Sequence, residues 1–172
     1  MNKALHFSSR SGEWETPQAF FDRLNAEFNF MLDLCAQPAT AKCPHFYTTA
    51  AGMEAPMKTG QIAEHDAFAH EWRGTCFMNP PYGRGVAQWL RKAHSSASLN
   101  SATVVALIPS RTDTAYWHDY VMEASEVRLV RGRLKFGGCL NAAPFPSAVV
   151  IFRPDYMTHA IFKSLDNRHA SL

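Results

Sequence analysis

The chain alternates between short apolar runs and longer segments in which apolar residues recur at helical spacing. The apolar runs are FMLDLCA, CFMN, TVVALIP and SAVVIF, at residues 30–36, 76–79, 103–109 and 147–152. They have the length of buried strands, and TVVALIP is apolar on both faces, as in a parallel sheet. Ahead of the first run, one helical face carries Phe20, Phe21, Leu24 and Phe28. Strands that alternate with helices predict an α/β protein with a doubly wound, mostly parallel sheet.

Caps, glycines and polar stretches indicate the remaining elements. Thr16 is a reasonable N-cap and Pro17 suits the first position of the helix before the first strand. We expect further helices at 86–97 and 110–125, a long surface loop at 48–65, and a strand-like segment at 127–136 that Gly132 interrupts. Residues 1–13 are polar and are expected to be flexible. No linker divides the chain, so residues 1–172 are interpreted as one domain.

The composition is that of a globular protein outside the secretory pathway. The 172 residues suit one domain and are 47% hydrophobic. No apolar run is long enough to span a bilayer, and the N-terminus lacks the apolar region of a signal peptide. The four cysteines lack paired spacing, which predicts reduced thiols in a cytoplasmic protein. Cys35, Cys43 and His45 lack a second ligand pair, so no metal site is expected.

Several polar or turn-forming residues stand where predicted strands end. They are Asp33, Asp66, Asn79 and Pro109. In doubly wound sheets, ligands bind in the crevice outside the carboxyl ends of the strands. The common placement of these residues therefore predicts a functional site at that edge.

The segment Asn79-Pro80-Pro81-Tyr82-Gly83 has two interpretations. As a turn, its prolines end a strand and its glycine permits positive φ. As a catalytic motif, the Asn79 side chain and the Pro80 carbonyl accept hydrogen bonds from an exocyclic amine. These two acceptors stabilise the positive charge that develops as the amine attacks. Pro81 stiffens the turn, Tyr82 offers a ring on which a flipped base stacks, and Gly83 leaves room in the pocket.

The motif resembles the (D/N/S)-P-P-(Y/F/W) signature of amino-methyltransferases that depend on S-adenosylmethionine. Further blocks extend the resemblance from about Trp14 to Pro154; they are WETPQAFFDRLNAEFNFMLDLCA, FMNPPYG with QWLRKA, ALIPSRTDTAYWHD, GRLKFGG and APFPSAVVIFRP. Together the blocks resemble the phage and prophage DNA N-6-adenine methyltransferase (Dam-like) family. The resemblance implies a Rossmann-like methyltransferase fold, S-adenosylmethionine as donor and adenine in double-stranded DNA as acceptor. It also implies GATC as a candidate target and the cytoplasm of a bacterial host as the location.

The resemblance also implies roles for individual residues. Thr16 and Pro17 match the motif near the donor's methionine part, while Asp33, Cys35 and Ala36 occupy the donor-binding strand and turn. That turn, DLCAQPATA, lacks the glycines usual in methyltransferases. Asp66 resembles the acid that hydrogen-bonds the donor's adenine amine, with Phe68 stacking on that ring. The alternatives are Asp33 as a cap and Asp66 as an exposed loop acid. The residues with the catalytic assignment are Asn79, Pro80, Pro81 and Tyr82, and Asn79 also adjoins the donor.

Basic residues indicate where DNA would bind. Arg111 follows a strand end, and a second group comprises Arg128, Arg131, Arg133 and Lys135. From Arg131 onward, basic and apolar residues alternate, which puts the charges on one face of the segment. Such a face either follows the phosphates of DNA or is an ordinary solvated strand face.

The substrate and the assembly stay open at this point. No separate recognition domain is visible, so DNA sequence would be read by loops at 48–65, 110–118 or 137–146, or with a second subunit. Methylation of RNA or of protein glutamine remains an alternative, as does a non-catalytic nucleic-acid-binding relative. Both a monomer and a homodimer fit the sequence.

Overall fold

The computed structural model describes residues 14–137, 139, 141–155 and 160–167. Its helices are α1 (Gln18–Phe28), α2 (Ala50–Met53) and α3 (Val86–Asn100), with a 3₁₀ helix at Ala67–Ala69 and a π-helix at Trp117–Val121. Its strands are β1 (Leu32–Asp33), β2 (His45–Thr48), β3 (Ile62–His65), β4 (Thr75–Met78), β5 (Thr103–Pro109), β6 (Glu126–Arg131), β7 (Ser147–Phe152) and β8 (Ile161–Asp166). Within this part of the chain no helix is long and apolar enough to cross a membrane. The expected flexibility of residues 1–13 lies outside the described residues.

The described strands form one eight-stranded sheet in the order β3-β2-β1-β4-β5-β7-β6-β8. Neighbouring strands are parallel, except that β7 runs antiparallel to both β5 and β6. Strands β1 to β5 therefore all end at one edge of the sheet, called here the carboxyl edge. The predicted α/β class and the mostly parallel sheet are confirmed.

Successive residues of the central strands point to opposite faces of the sheet, and each face packs against its own helix. In β5, Val104 and Ala106 join the core cluster that includes α3, whereas Val105 and Leu107 join the cluster that includes α1. Both faces of β5 are thus covered, which explains its continuous apolar sequence. Because α1 and α3 lie on opposite faces, the sheet is covered from two sides, as predicted.

Several predicted elements differ in extent from the observed ones. The expected loop at 48–65 contains α2 and the edge strand β3, whose four residues pair with β2. The strand expected at 30–36 is only two residues long in β1. The segment at 127–136 is a strand only as far as Arg131, because Gly132 has φ 87° and turns the chain. β8 was not predicted, since an exposed edge strand has no apolar run to reveal it.

Thr16 does not cap α1, contrary to the prediction. The N-cap position is Pro17, and no side chain caps the helix there. The Thr16 hydroxyl instead accepts a hydrogen bond from Asn79 Nδ2 at 2.9 Å. A partner 63 residues away along the chain overrides the local capping preference.

Candidate active site at the carboxyl edge of the sheet

Unpaired buried polar atoms are concentrated at the carboxyl edge. Among the described residues, the buried side-chain atoms without a hydrogen-bond partner are Asn79 Oδ1, Ser110 Oγ and Ser147 Oγ. Asn79 follows β4 and Ser110 follows β5, while Ser147 opens the antiparallel β7 opposite Pro109. All three therefore lie at the same edge. Because buried polar groups are normally paired, this concentration indicates that a polar ligand completes the site.

Asn79 is oriented by the segment that precedes α1. Its Nδ2 donates to the Trp14 backbone carbonyl and to the Thr16 hydroxyl. A carbonyl can only accept, so the amide nitrogen must face Trp14 and the amide oxygen must face away. Asn79 Oδ1 is consequently a buried acceptor held in one direction with its hydrogen bond unmade.

The prolines after Asn79 supply a second acceptor and a stiff turn. Pro80 is buried, and its carbonyl accepts no hydrogen bond from any described residue. Pro81 is exposed and continues the turn towards Gly83. Gly83 has φ 153°, but a Cβ there would meet nothing within 4 Å. Packing against the described protein atoms therefore does not require a glycine at position 83, and its role in leaving room for a ligand stays a prediction.

Tyr82 forms one wall of the site and is fixed at its hydroxyl end. The hydroxyl donates to the Leu107 carbonyl in β5 at 3.3 Å. The ring meets Phe145 and Phe136 edge-on, with centroids 5.5 and 6.1 Å apart. Burial raises the pKa of Tyr82 well above its usual value, so the phenol stays protonated at neutral pH. Tyr82 therefore offers a partly exposed ring rather than a titrating group.

The glycine-free turn after β1 is held by hydrogen bonds within the turn and to strand β2. The buried carboxylate of Asp33 accepts from the backbone N–H groups of Cys35 at 3.3 Å and Lys42 at 3.0 Å. The Ala36 amide donates to the Tyr47 carbonyl. Burial raises the pKa of Asp33 to about 6, although the two amides oppose the shift. Asp33 thus stabilises the turn, and the amides of Cys35 and Ala36 are engaged within the protein.

The Cys35 side chain lies between this turn and the catalytic motif. The Asn79 backbone N–H acts to lower the pKa of the Cys35 thiol, and Cys35 and Tyr82 pack against the same core cluster. Burial, reinforced by the Asp33 carboxylate, raises the pKa of the Cys35 thiol well above its usual value. The thiol is therefore neutral at physiological pH and contributes apolar surface to the site.

Asp66 and Phe68 lie on a turn that Lys92 holds to α3. Asp66 has φ 58°, and its Oδ1 accepts from the Phe68 amide, whereas Oδ2 accepts nothing from the described residues. Lys92 Nζ donates to the carbonyls of Ala67, Phe68 and His70 at 3.0, 2.8 and 2.7 Å. The same ammonium lies 5.5 Å from the centre of the Phe68 ring. Asp66 thus presents an oxygen without a partner among the described residues, at the start of a turn whose next carbonyls Lys92 holds with three hydrogen bonds.

The basic residues predicted to bind DNA fall into two groups. The Arg128 side chain is only 12% exposed and bonds to Glu27 and Glu126, which neutralise it. Arg131 has Asp166 at 3.9 Å. Arg111, Arg133 and Lys135 are exposed and make no ion pair within the described part of the chain. The charge row is thus interrupted, and Arg128 is occupied in a way that the sequence pattern did not reveal.

Sequence reasoning overlooked Trp14, Phe145 and Ser147. The Trp14 carbonyl orients Asn79, and its ring packs edge-on against Phe136 and Phe145. Ser147 adds one of the unpaired hydroxyls. The available signal was a polar residue at the start of the apolar run SAVVIF, which matters only once β7 is known to run antiparallel.

The chain is similar to known proteins along its whole length. The family model described as DNA N-6-adenine-methyltransferase (Dam) matches residues 6–172. A DNA N-6-adenine-methyltransferase of Haemophilus phage HP1 is 29% identical over 181 aligned positions, which cover 100% of this chain and 94% of the relative. The putative methyltransferase YfdM of Escherichia coli K12 is 34% identical over 90 positions, which cover 47% of this chain and 84% of that protein.

Proposed function

The chain belongs to the DNA N-6-adenine-methyltransferase (Dam) family, and on that premise we propose that the carboxyl edge around Asn79 is its catalytic centre. The protein is an adenine N-6 methyltransferase acting on DNA, with S-adenosylmethionine as methyl donor. The order of the strands, with one antiparallel strand inserted beside β5, supports a Rossmann-like methyltransferase fold. The phage relative supports action in the cytoplasm of a bacterial host.

The unpaired Asn79 Oδ1 is the observation that carries this proposal. Adenine presents an exocyclic amine with two protons and a delocalised, weakly nucleophilic lone pair. Asn79 Oδ1 accepts a hydrogen bond from one N–H of this amine, and the free carbonyl of Pro80 accepts a hydrogen bond from the other. As the nitrogen forms its new bond to carbon it gains positive charge, which both acceptors stabilise more strongly than they stabilise the neutral amine. The surplus proton then leaves to solvent, because Tyr82 and Cys35 are held neutral and cannot take it.

The residues at this edge offer free groups to the adenosine part of the donor at Asp66 and Phe68, whereas the turn after β1 offers mainly shape. When bound, S-adenosylmethionine would supply an electrophilic methyl group, and its sulfonium sulfur would be the leaving group as the methyl–sulfur bond breaks. The free carboxylate oxygen of Asp66 and the partly exposed Phe68 ring suit its adenosine part. Asp33, Cys35 and Ala36 form a wall of fixed shape, since their polar backbone groups are engaged. Thr16 contributes by orienting Asn79, and Pro17 begins α1 beside it.

Tyr82 supports binding of a base that has left the duplex. Its ring is partly exposed, and its hydroxyl is tied to β5, so little freedom is lost when a base stacks on it. Stacking on an aromatic side chain contributes about 1–3 kcal/mol per base. This contribution offsets the few kcal/mol that extraction of the base costs.

The experiment compares methyl transfer by the wild type, Asn79→Ala and Asn79→Asp to unmethylated duplex DNA, with identification of the methylated nucleoside. Asn79→Ala removes an acceptor aimed at the reacting amine, so we expect kcat to fall about 10²–10³-fold. Asn79→Asp keeps an acceptor but turns a carboxylate oxygen towards the Trp14 carbonyl, and we expect an intermediate rate. Asn100→Ala, at the end of α3, is the matched control and should retain wild-type activity.

Donor binding, measured by calorimetry on each variant, separates a chemical defect from an unfolded site. Transfer to DNA that survives in Asn79→Ala would contradict the catalytic role. Single-stranded RNA and a glutamine-containing protein serve as comparison substrates, since their amines share the chemistry. Mapping of N-6-methyladenine in the product tests GATC as the target sequence.

A further inference from the structure

A cleft opens between the first turns of α1 and the segment after β6. Its lining residues are Pro17, Ala19, Phe20, Arg23, Arg133, Leu134, Lys135 and Asn167. Its volume of about 240 Å³ is several times the roughly 30 Å³ that one water occupies in the liquid. The cleft is therefore large enough for a group of several atoms, and we call it the basic cleft.

Among the described residues, no carboxylate pairs with any of the three cations of the basic cleft. Arg23 donates to the backbone carbonyl of Asp166 at 2.7 Å, and Arg133 donates to that of Ala143 at 3.4 Å. Lys135 bonds to none of the described residues. Backbone carbonyls orient guanidinium groups without cancelling their charge. By contrast, the cations that pair with carboxylates elsewhere in the described chain include Lys42, Arg73, Arg128, Arg131, Arg153 and Lys163.

The basic cleft adjoins the proposed catalytic centre along two chain segments. Pro17, which lines the cleft, directly follows Thr16, whose hydroxyl bonds to Asn79. Lys135, on the other wall, directly precedes Phe136, whose ring contacts Tyr82. An anion bound in the cleft would thus lie next to the site that receives the target base.

We infer that the basic cleft binds a phosphodiester of the DNA strand that carries the target adenine. Three cations without a carboxylate partner among the described residues suit one phosphate, whose oxygens accept from guanidinium and ammonium donors, whereas the Asn167 amide nitrogen already donates to the Arg133 carbonyl at 3.3 Å. A contact on that strand holds its backbone while the base turns into the site, and phosphate contacts set the register of a protein on its duplex. The inference rests on the proposed function, because it takes the strand in the cleft to be the one being methylated.

The test measures the affinity of the wild-type protein for a short fluorescent duplex across a series of salt concentrations. Lys135→Gln is the principal variant, because Lys135 bonds to none of the described residues and its replacement removes no bond seen in the fold; Arg133→Gln is the second. Each removed phosphate contact should lower the slope of log Kd against log salt by about 0.9. Arg91→Gln is the matched control, since Arg91 is exposed on α3 at the opposite face of the sheet. Its slope should equal that of the wild type.

Replacement of single phosphates by neutral methylphosphonates locates the contact. Wild-type binding should weaken at one phosphate close to the target adenine, and Lys135→Gln should lose nothing further at that position, as in a double-mutant cycle. Calorimetry of donor binding by the same variants should give unchanged affinity. A salt slope for Lys135→Gln and Arg133→Gln equal to that of Arg91→Gln would overturn the inference. A loss of donor affinity would overturn it too, because the cleft would then serve the donor.

The same experiment distinguishes failure of the inference from failure of the proposed function. If the wild type binds duplex DNA with the predicted loss of slope in Lys135→Gln but forms no N-6-methyladenine, the phosphate site stands and the catalytic proposal falls. If N-6-methyladenine forms and both cleft variants bind DNA like the control, the catalytic proposal is supported and the inferred phosphate site is rejected.

Discussion

At the scale of single residues, the direction of one primary amide decides what the carboxyl edge can do. Asn79 could turn either its oxygen or its nitrogen to a ligand. The Trp14 carbonyl and the Thr16 hydroxyl together take the nitrogen, so an acceptor faces the site. Under the proposed function, the residues that precede α1 therefore orient the amide that binds the reacting amine.

Thr16→Val tests this orientation, because valine has nearly the same shape but no hydroxyl. Loss of one neutral hydrogen bond, about 1 kcal/mol, should lower kcat roughly fivefold while donor affinity stays constant. Steady-state kinetics with DNA and with donor varied in turn measure both effects. A change confined to the donor affinity would show that Thr16 contacts the donor instead of orienting Asn79.

Tyr82→Phe and Tyr82→Ala separate the ring of Tyr82 from its hydroxyl. Phenylalanine keeps the stacking surface and loses only the bond to the Leu107 carbonyl, so activity should stay within about threefold of wild type. Alanine removes the ring, and the loss of about 1–3 kcal/mol of stacking should raise the KM for DNA by roughly 5- to 150-fold. Equal kinetics for the two variants would contradict stacking on the ring.

At the scale of elements, Lys92 joins the turn at 66–70 to α3, the helix that follows the Asn79–Tyr82 segment. Its ammonium fills its three donor positions with backbone carbonyls and lies 5.1 Å from the centre of the Trp72 ring. Burial lowers the pKa of Lys92, and the nearby Asp66 carboxylate opposes that shift. These bonds fix the turn relative to α3, and the free oxygen of Asp66 therefore keeps one position.

Lys92→Met should loosen this turn, because methionine keeps much of the apolar stem and leaves three carbonyls without their donor. Hydrogen bonds to charged groups contribute about 1.5–3 kcal/mol, and we expect a stability loss of that order. Amide hydrogen exchange at 66–70 should accelerate. The fold-loss in donor affinity should exceed the fold-loss in kcat. Arg91→Met, one position earlier on an exposed part of α3, should change neither quantity.

At the scale of the whole molecule, one ion network fastens the far end of the sheet. Glu126 in β6 is 5% exposed and pairs with Arg128, with Arg153 after β7 and with Lys163 in β8. Arg128 extends the network to Glu27 in α1. Strand β8, exposed along most of its length, therefore depends on charge as well as on its backbone ladder.

Acid should weaken this network within a defined pH range. Burial alone would raise the pKa of Glu126, but the bonds from Arg128 and Lys163 outweigh it and lower the pKa to about 2. A carboxylate whose folded pKa lies below its unfolded value of 4.5 stabilises the fold above pH 4.5, and that stabilisation is lost as pH falls towards 2. Denaturant unfolding across this range should show a steeper loss in the wild type than in Glu126→Gln.

At neutral pH, Glu126→Gln should cost about 2 kcal/mol, since charged hydrogen bonds become neutral ones. Glu71→Gln is the control, because the exposed Glu71–Arg73 pair should contribute under about 1 kcal/mol. An acid profile unchanged by Glu126→Gln would mean that other carboxylates control acid unfolding.

Local sequence was sufficient for the central strands and insufficient for the edges. TVVALIP and SAVVIF are apolar throughout because both their faces are buried, and such runs identify β5 and β7 directly. β3 and β8 lie at the sheet edges, where exposed and polar residues are tolerated, so no run marks them. The site divides in the same way: the motif Asn79 to Tyr82 is visible in the sequence, whereas its supports at Trp14 and Phe145 are not.

The sequence by itself determined the α/β class, the strand-end position of Asn79 and the chemistry that Asn-Pro-Pro-Tyr can perform, because these follow from neighbouring residues and from periodicity. Only the tertiary structure decided which atom of Asn79 faces the site and that Asp33 stabilises its own turn. It also decided that Arg128 is neutralised, while Arg133 and Lys135 have no carboxylate partner in the described part of the chain. The physical reason is common to all of these. Hydrogen bonds and ion pairs are set by partners distant in sequence, such as Thr16 for Asn79 and Glu27 for Arg128.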